Sequence, residues 1–160
     1  MAKENSAELT IELKESFRGS TSDINCVRFS PDHHNEPLLA AGSSDKTIRL
    51  WNLKDQSTKT LTRHTYQVHW LTFAPACNDE KETSIKYMAS ASTDGTCLLW
   101  DLESISVLKQ FRHDSGSPIR VCEFSTDGLL LATGNHCHIE TKSKEEIQEY
   151  FFQFQLVMMN

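Results

Sequence analysis

Cys26-Val27-Arg28-Phe29-Ser30-Pro31, then Leu39-Ala40-Ala41-Gly42-Ser43, then Ser44-Asp45-Lys46-Thr47-Ile48-Arg49-Leu50-Trp51-Asn52 make up a phrase that this chain writes again further on. The second copy runs Trp70-Leu71-Thr72-Phe73-Ala74-Pro75, Met88-Ala89-Ser90-Ala91-Ser92 and Thr93-Asp94-Gly95-Thr96-Cys97-Leu98-Leu99-Trp100-Asp101. A third opens with Val121-Cys122-Glu123-Phe124-Ser125 and Leu130-Leu131-Ala132-Thr133-Gly134, and loses the pattern after Gly134, where the turn with its Asp and the following Trp are expected. Self-similarity at this spacing marks an array of supersecondary units that bury their faces against one another.

Within each copy the residues read as strands. Side chains at i and i+2 share a face, which pairs Val27 with Phe29, Leu71 with Phe73 and Cys122 with Phe124. Pro31 and Pro75 directly follow these strands, where a residue without an N–H ends a ladder at little cost. Strands expected near Leu38 to Ser43 and Tyr87 to Ala91 turn through Asp45-Lys46 and Asp94-Gly95 into strands at Thr47 to Asn52 and Thr96 to Asp101. Asp-Gly suggests a type I′ turn, with positive φ at both central residues. Thr58 to Thr62 and Ser106 to Phe111 supply a fourth, polar and alternating strand, and Thr10 to Phe17 alternates in the same way as an outer strand. Ile48 to Trp51 is apolar on both faces apart from Arg49, as a sheet sandwiched between neighbours requires. Trp51 and Trp100 stand 49 residues apart, beyond the roughly 40–45 of such repeats, and the surplus falls in the charged stretch Asn78 to Lys86.

Composition narrows the function. A mean hydropathy of −0.46 and the absence of an apolar run of spanning length argue against a membrane protein. The charged start Met1-Ala2-Lys3-Glu4 is unlike a secretory leader, so the chain reads as cytoplasmic, with the nucleus as the alternative. A net charge of −6 disfavours nucleic acid, whose affinity rests on Lys and Arg neutralising phosphates, and favours other proteins as partners. Five cysteines (Cys26, Cys77, Cys97, Cys122, Cys137) without close pairs read as reduced thiols.

These residues resemble the WD-repeat family of β-propellers over roughly Ile11 to Gly134. The resemblance implies an all-β fold: a partial WD-repeat propeller of two full blades and part of a third. Repeat 1 covers about 19–53, repeat 2 about 63–102 and incomplete repeat 3 about 113–134. They stand within a 10–134 unit, after a disordered N-terminus at 1–9 and before a non-repeat tail at 135–160. In that family a His, a Ser or Thr, an Asp and a Trp form a hydrogen-bonded tetrad in each blade. The second unit carries all four, as His64, Ser90, Asp94 and Trp100. The first keeps Asp45 and Trp51 but has Ser20 and Ala41 in the other places; the third keeps Thr133, with Ser115 at the His position and His113 out of register. A fully satisfied polar network rigidifies, so the first blade is expected to be softer than the second.

His64-Thr65-Tyr66-Gln67-Val68-His69 and Ser115-Gly116-Ser117-Pro118-Ile119-Arg120-Val121-Cys122 look like the opening repeats of those members in which the propeller precedes a SAM domain and a U-box. That likeness implies the substrate-recognition or scaffold part of a ubiquitin ligase. No segment here matches a SAM domain or a U-box. The alternatives are an adaptor of another complex or a truncated, non-functional isoform. By the family pattern, loops entering the first strand and the second-to-third-strand turns face the rim that binds peptides. That places Tyr66, Gln67, Thr93, Ser117 and Arg120 as candidate protein-binding residues.

The tail admits two forms. Ser143 and Glu146 have capping-box spacing, and Ile147, Tyr150/Phe151, Phe154 and Met158 fall at helical intervals; Phe152, Phe154, Leu156 and Met158 also alternate as a strand would. It reads either as unrelated sequence joined at Asn135 by splicing or a mispredicted gene end, or as a helix covering an exposed blade.

Other chemistry is outweighed by structure. His136-Cys137-His138 with His113 and Cys122 lacks the CxxC or HxxxH spacing by which ligands converge on zinc. His33 and His34 read as solvated loop residues, and His69 as a satisfied core side chain. His64, Asp94 and Ser90 are the residue types of a serine hydrolase, but each falls on a tetrad position and no nucleophile elbow is present. The expectation is a non-catalytic chain without metal, cofactor or small-molecule substrate.

Overall fold

Ser30 donates its N–H to the Leu38 carbonyl at 2.8 Å, and Ala74 donates to Tyr87 at 3.0 Å; Pro31 and Pro75 come next, so each first strand ends where its donors run out. The computed structural model describes residues 16–31, 37–75, 87–112 and 116–135, and the backbone of 139–142. These residues form eleven strands and no helix. β1 (Ile24–Phe29), β2 (Leu38–Ser43), β3 (Thr47–Asn52) and β4 (Thr58–Thr62) make one antiparallel meander; β5 (Val68–Phe73), β6 (Tyr87–Ser92), β7 (Thr96–Asp101) and β8 (Ser106–Arg112) make a second. β9 (Val121–Phe124), β10 (Leu131–Gly134) and β11 (Ile139–Lys142) make a third, with β10 in the middle. We refer to them as the first, second and third sheets.

Equivalence between repeats extends to irregularities. The ladder slips between Ile24 and Cys26 in β1, and between Val68 and Trp70 at the same place in β5. Phe29, Phe73 and Phe124 close β1, β5 and β9. The inner strands stand side by side, β1 against β5 and β5 against β9.

Two cores follow. Cys26, Ala40, Ile48, Leu50 and Leu61 of the first sheet pack with Val68, Leu71, Phe73, Met88, Leu98 and Trp100 of the second. Ala89, Ala91, Cys97, Leu99 and Phe111 line the opposite face of the second sheet, against Cys122, Phe124 and Leu131 of the third and Ile119 in the approach to β9. The second sheet is thus covered on both sides, which is why Thr96 to Trp100 is buried throughout. Each fully buried Leu or Phe contributes about 1.5–3 kcal/mol. Gly42 lets the first two sheets approach: a Cβ there would meet Val68 Cγ1 at 2.7 Å and Cys26 Sγ at 2.8 Å.

The structure departs from the sequence reading at three places. The β2–β3 and β6–β7 turns are not type I′: Lys46 N–H bonds the Ser43 carbonyl and Gly95 N–H the Ser92 carbonyl, both at 3.2 Å. Positive φ occurs at Lys46 (73°) and Gly95 (78°) but at neither Asp. These are three-residue loops, a type I turn followed by one left-handed residue, because each Asp carboxylate is occupied in bonding the backbone two residues on. The third sheet also extends past Gly134, since Ile139–Lys142 pairs with β10 in the place of a third strand. Finally, Ser16 and Phe17 are not in a strand; the rest of the strand expected at Thr10 to Phe17, the Asn78 to Lys86 stretch and the tail beyond Lys142 lie outside the described residues.

Candidate functional site

His64 precedes β5, Ser90 lies in β6, Asp94 sits in the β6–β7 turn and Trp100 in β7, and the second meander brings all four together. The Trp100 indole N–H, which only donates, bonds Ser90 Oγ at 2.8 Å. A carboxylate oxygen only accepts, so His64 Nδ1 donates to Asp94 Oδ2 at 2.8 Å, and Ser90 Oγ and His64 Nε2 share a hydrogen bond of 2.7 Å. Asp94 also accepts the backbone N–H groups of Thr65 at 3.0 Å and Thr96 at 2.9 Å. Burial pushes the Asp94 carboxyl upward, but hydrogen bonds from His64, Thr96 and Thr65 outweigh it and hold the group well below the usual carboxylate range. Ser90 and His64 are buried.

The first sheet solves the same problem with different residues. Ala41 offers Trp51 no hydroxyl, and Ser20, at the His position, bonds Asp45 Oδ2 at 3.2 Å and Ser43 Oγ at 2.7 Å. Arg49, on the strand position that Leu98 occupies in β7, reaches Asp45 Oδ2 with Nη1 at 3.0 Å and Thr47 Oγ1 at 2.7 Å. Its Nε would lie 3.1 Å from a Cβ on Gly19, which keeps that space free. Asp45 further accepts from Thr21 N–H at 3.0 Å and from Thr47 N–H at 3.1 Å. Burial raises its pKa, yet the bonds from Thr47, Thr21 and Arg49 bring it far below the usual range. Trp51 is stacked at a tilt on Phe17, ring centroids 5.5 Å apart. Sequence reasoning noted Arg49 only as an interruption of an apolar strand; its spacing of four from Asp45 was the available signal. In the third sheet Thr133 is buried in β10, while Ser115 and His113 lie outside the described residues.

Four of the candidate binding residues converge on one rim. Thr93 bonds the Gln67 carbonyl through its N–H at 3.1 Å, Ser92 Oγ bonds the Tyr66 carbonyl at 3.3 Å, and Gly95 lies against the carbonyls of Gly116 and Ser117. The loop into β5, the β6–β7 turn and the approach to β9 thus form a continuous edge. Tyr66 and Gln67 are exposed there, and Thr93 and Ser117 half-buried. The Lys46 ammonium stands 5.6 Å from the exposed Tyr66 ring, a neighbour the sequence did not disclose. Arg120, also exposed, is set toward the inner strands, its Nη1 3.4 Å from His69 Nε2. His69 is accordingly not a core residue: it is only partly buried, and burial, then the Arg120 charge, lower its pKa.

A second missed cluster runs along the inner strands. The Arg28 guanidinium lies 4.2 Å above the Trp70 ring, Trp70 Nε1 bonds Glu123 at 3.3 Å and Thr72 Oγ1 bonds the same carboxylate at 2.9 Å. Cys26, Cys97 and Cys122 are buried free thiols. Burial pushes the Cys26 and Cys122 thiols up. No group of His, Cys, Asp and Glu among the described residues could hold a metal ion; His136, Cys137 and His138 are outside them, as are His33 and His34. Among the described residues there is no helix long and apolar enough to cross a membrane.

Stacked antiparallel meanders with a His-Ser-Asp-Trp network define WD-type repeats, and the chain belongs to this family: the WD domain, G-beta repeat matches residues 11–52 and 55–101. It is similar to WD repeat, SAM and U-box domain-containing protein 1 of Danio rerio, 37% identical over 127 residues, covering 78% of this chain and 23% of that protein. The Homo sapiens protein of the same name is 39% identical over 114 residues, covering 69% of this chain and 21% of its own length. Pre-mRNA-processing factor 19 homolog 2 of Arabidopsis thaliana is 31% identical over 128 residues, covering 77% and 22%. The chain spans less than a quarter of these relatives.

Proposed function

We propose that this chain is a protein-interaction module, the substrate-recognition or scaffold portion of a U-box ubiquitin ligase, and that it performs no catalysis of its own. The rim carries this proposal: Tyr66 is exposed beside Lys46, with Gln67, Thr93 and Ser117 on the same edge and Arg120 nearby. Tyr and Arg are the side chains most often found as energetic anchors of interfaces. The similarity to proteins named for a U-box supports the ligase setting, and the net charge of −6 supports a protein ligand over nucleic acid. The cytoplasm is the proposed compartment, with the nucleus as the alternative.

Ser90, His64 and Asp94 have the connectivity of a hydrolase triad, and the non-catalytic proposal rests on what else they touch. Ser90 Oγ already accepts the Trp100 N–H and has no exposed surface for a substrate carbonyl. The similarity to Pre-mRNA-processing factor 19 homolog 2 favours one second reading, a scaffold in another assembly.

Affinity capture from cell extract with the chain and with its Tyr66→Ala/Arg120→Ala form separates these readings. Capture enriched in ubiquitin conjugates and lost in the variant, at unchanged thermal stability, supports the ligase proposal. Capture of a complex free of conjugates favours the scaffold, and capture indifferent to both substitutions contradicts a binding role for this rim.

A further inference from the structure

The ladder slips between Ile24 and Cys26 in β1 and between Val68 and Trp70 in β5, which leaves Asn25 and His69 as the unpaired residues. A bulge of this kind re-aims the side chain it carries. Arg120, directly before β9, is the third residue at this level. The three are used differently. Asn25 Nδ2 donates to the Val68 carbonyl at 2.9 Å and to Ser44 Oγ at 3.1 Å, fastening the first sheet to the second. His69 and Arg120 instead meet each other, with Arg120 Nη1 3.4 Å from His69 Nε2. Arg120 is exposed and His69 partly so.

A guanidinium only donates, so the imidazole nitrogen is the acceptor of this bond. It engages one of the several N–H groups of Arg120 and steadies the guanidinium plane, and the other donors form a fork. The acid of β9 is directed elsewhere, since Glu123 accepts from Thr72 Oγ1 at 2.9 Å and from Trp70 Nε1 at 3.3 Å. Burial, then the Arg120 charge, hold His69 below its ordinary 6.5. At neutral pH the imidazole is therefore uncharged, and the pair carries the single positive charge of Arg120. A planar fork with one positive charge matches a carboxylate, with its two oxygens and one negative charge. A phosphate group near its second ionisation would bring more negative charge than the pair can balance.

We propose that Arg120 and His69 form a carboxylate-binding site at the junction of the second and third sheets, Arg120 binding the group and His69 positioning Arg120. The carboxylate comes from an acidic side chain or from the C-terminus of a protein ligand, so the site rests on the protein-binding role given above and names the chemistry that the ligand brings.

Fluorescence anisotropy of three N-terminally labelled peptides on the intact chain tests this: tetraglutamate amide, tetraglutamine amide and tetraglutamine with a free C-terminus. Binding of the first identifies a side-chain carboxylate as the source and binding of the third a terminal one; the second, which has no carboxylate, should bind at least about tenfold more weakly than either. Binding of neither acid-bearing peptide, or equal binding of all three, overturns the proposal. Arg120→Gln, at an exposed position, should weaken the peptide that binds by about tenfold or more with thermal unfolding unchanged, and Arg120→Lys, which keeps the charge but loses the fork, should fall between. His69→Leu should weaken binding several-fold, and His69→Gln, which keeps an acceptor, should restore it. Binding indifferent to Arg120→Gln or to His69→Leu overturns the site, as does stronger competition by inorganic phosphate than by acetate at equal ionic strength. If no peptide binds while capture from extract is still lost in the Tyr66→Ala/Arg120→Ala form, this site fails and the binding role of the rim stands; if that capture is also unaffected, both fail.

Discussion

Arg49 Nη1 lies 3.0 Å from Asp45 Oδ2 in the first sheet, at the level where His64 Nδ1 lies 2.8 Å from Asp94 Oδ2 in the second. Both carboxylates are shielded from water and both anchor the turn that follows. A cation from within the strand, with Ser20 from the preceding loop at 3.2 Å, thus performs in one repeat what an imidazole performs in the other.

Arg49→Leu should destabilise the chain by roughly 1–3 kcal/mol, since it leaves a shielded carboxylate with fewer donors. Adding Ser20→His and Ala41→Ser rebuilds the second repeat's arrangement and should recover part of that loss. Urea unfolding of the three forms checks both statements; a single variant as stable as the parent would show that the first sheet does not depend on this pair.

Acid should weaken the fold through the same carboxylates. Asp45 and Asp94 have folded pKa values depressed below their ordinary 3.8. Their contribution is therefore complete above that value and is lost as pH falls toward the folded values. The melting temperature should decline from about pH 4 to pH 2, and Asp94→Asn should start lower and decline less steeply. Parallel curves for the two proteins would remove Asp94 as a source of the acid sensitivity.

Gly42→Ala should cost about 1–3 kcal/mol by overpacking, because the new methyl would lie 2.7 Å from Val68 Cγ1 and 2.8 Å from Cys26 Sγ. Adding Val68→Ala opens space on that side and should return some of the loss. A stable Gly42→Ala protein would mean that the first two sheets are not held as closely as described.

The strands were legible because their signals are local: the alternation around Phe29, Phe73 and Phe124 and the Asp-to-Trp spacing in β3 and β7 repeat along the chain. Turn type was not, because Asp45 and Asp94 bond forward to Thr47 and Thr96 and so favour a type I turn where Asp-Gly alone suggests type I′. Arg49 was seen but not understood, since its partner is defined by the fold and not by the repeat pattern. The contacts of Lys46 with Tyr66, of Arg28 with Trp70 and of Trp70 with Glu123 join different sheets. No periodicity within one unit could disclose them. β11 was missed because Ile139 to Lys142 lacks the Asp and Trp that mark β3 and β7.

The separation of a structural network from a binding rim is tested most directly by the unfolding temperature of Ser90→Ala measured beside that of Tyr66→Ala. Removing the Ser90 hydroxyl strands the Trp100 N–H and His64 Nε2 inside the second sheet. The expected loss is about 1–3 kcal/mol, a fall of roughly 3–10 °C for a chain of this size, while exposed Tyr66 should leave the temperature within about a degree or two. A Ser90→Ala protein that melts with the parent, or a Tyr66→Ala protein that falls as far as Ser90→Ala, would contradict the division of labour described above.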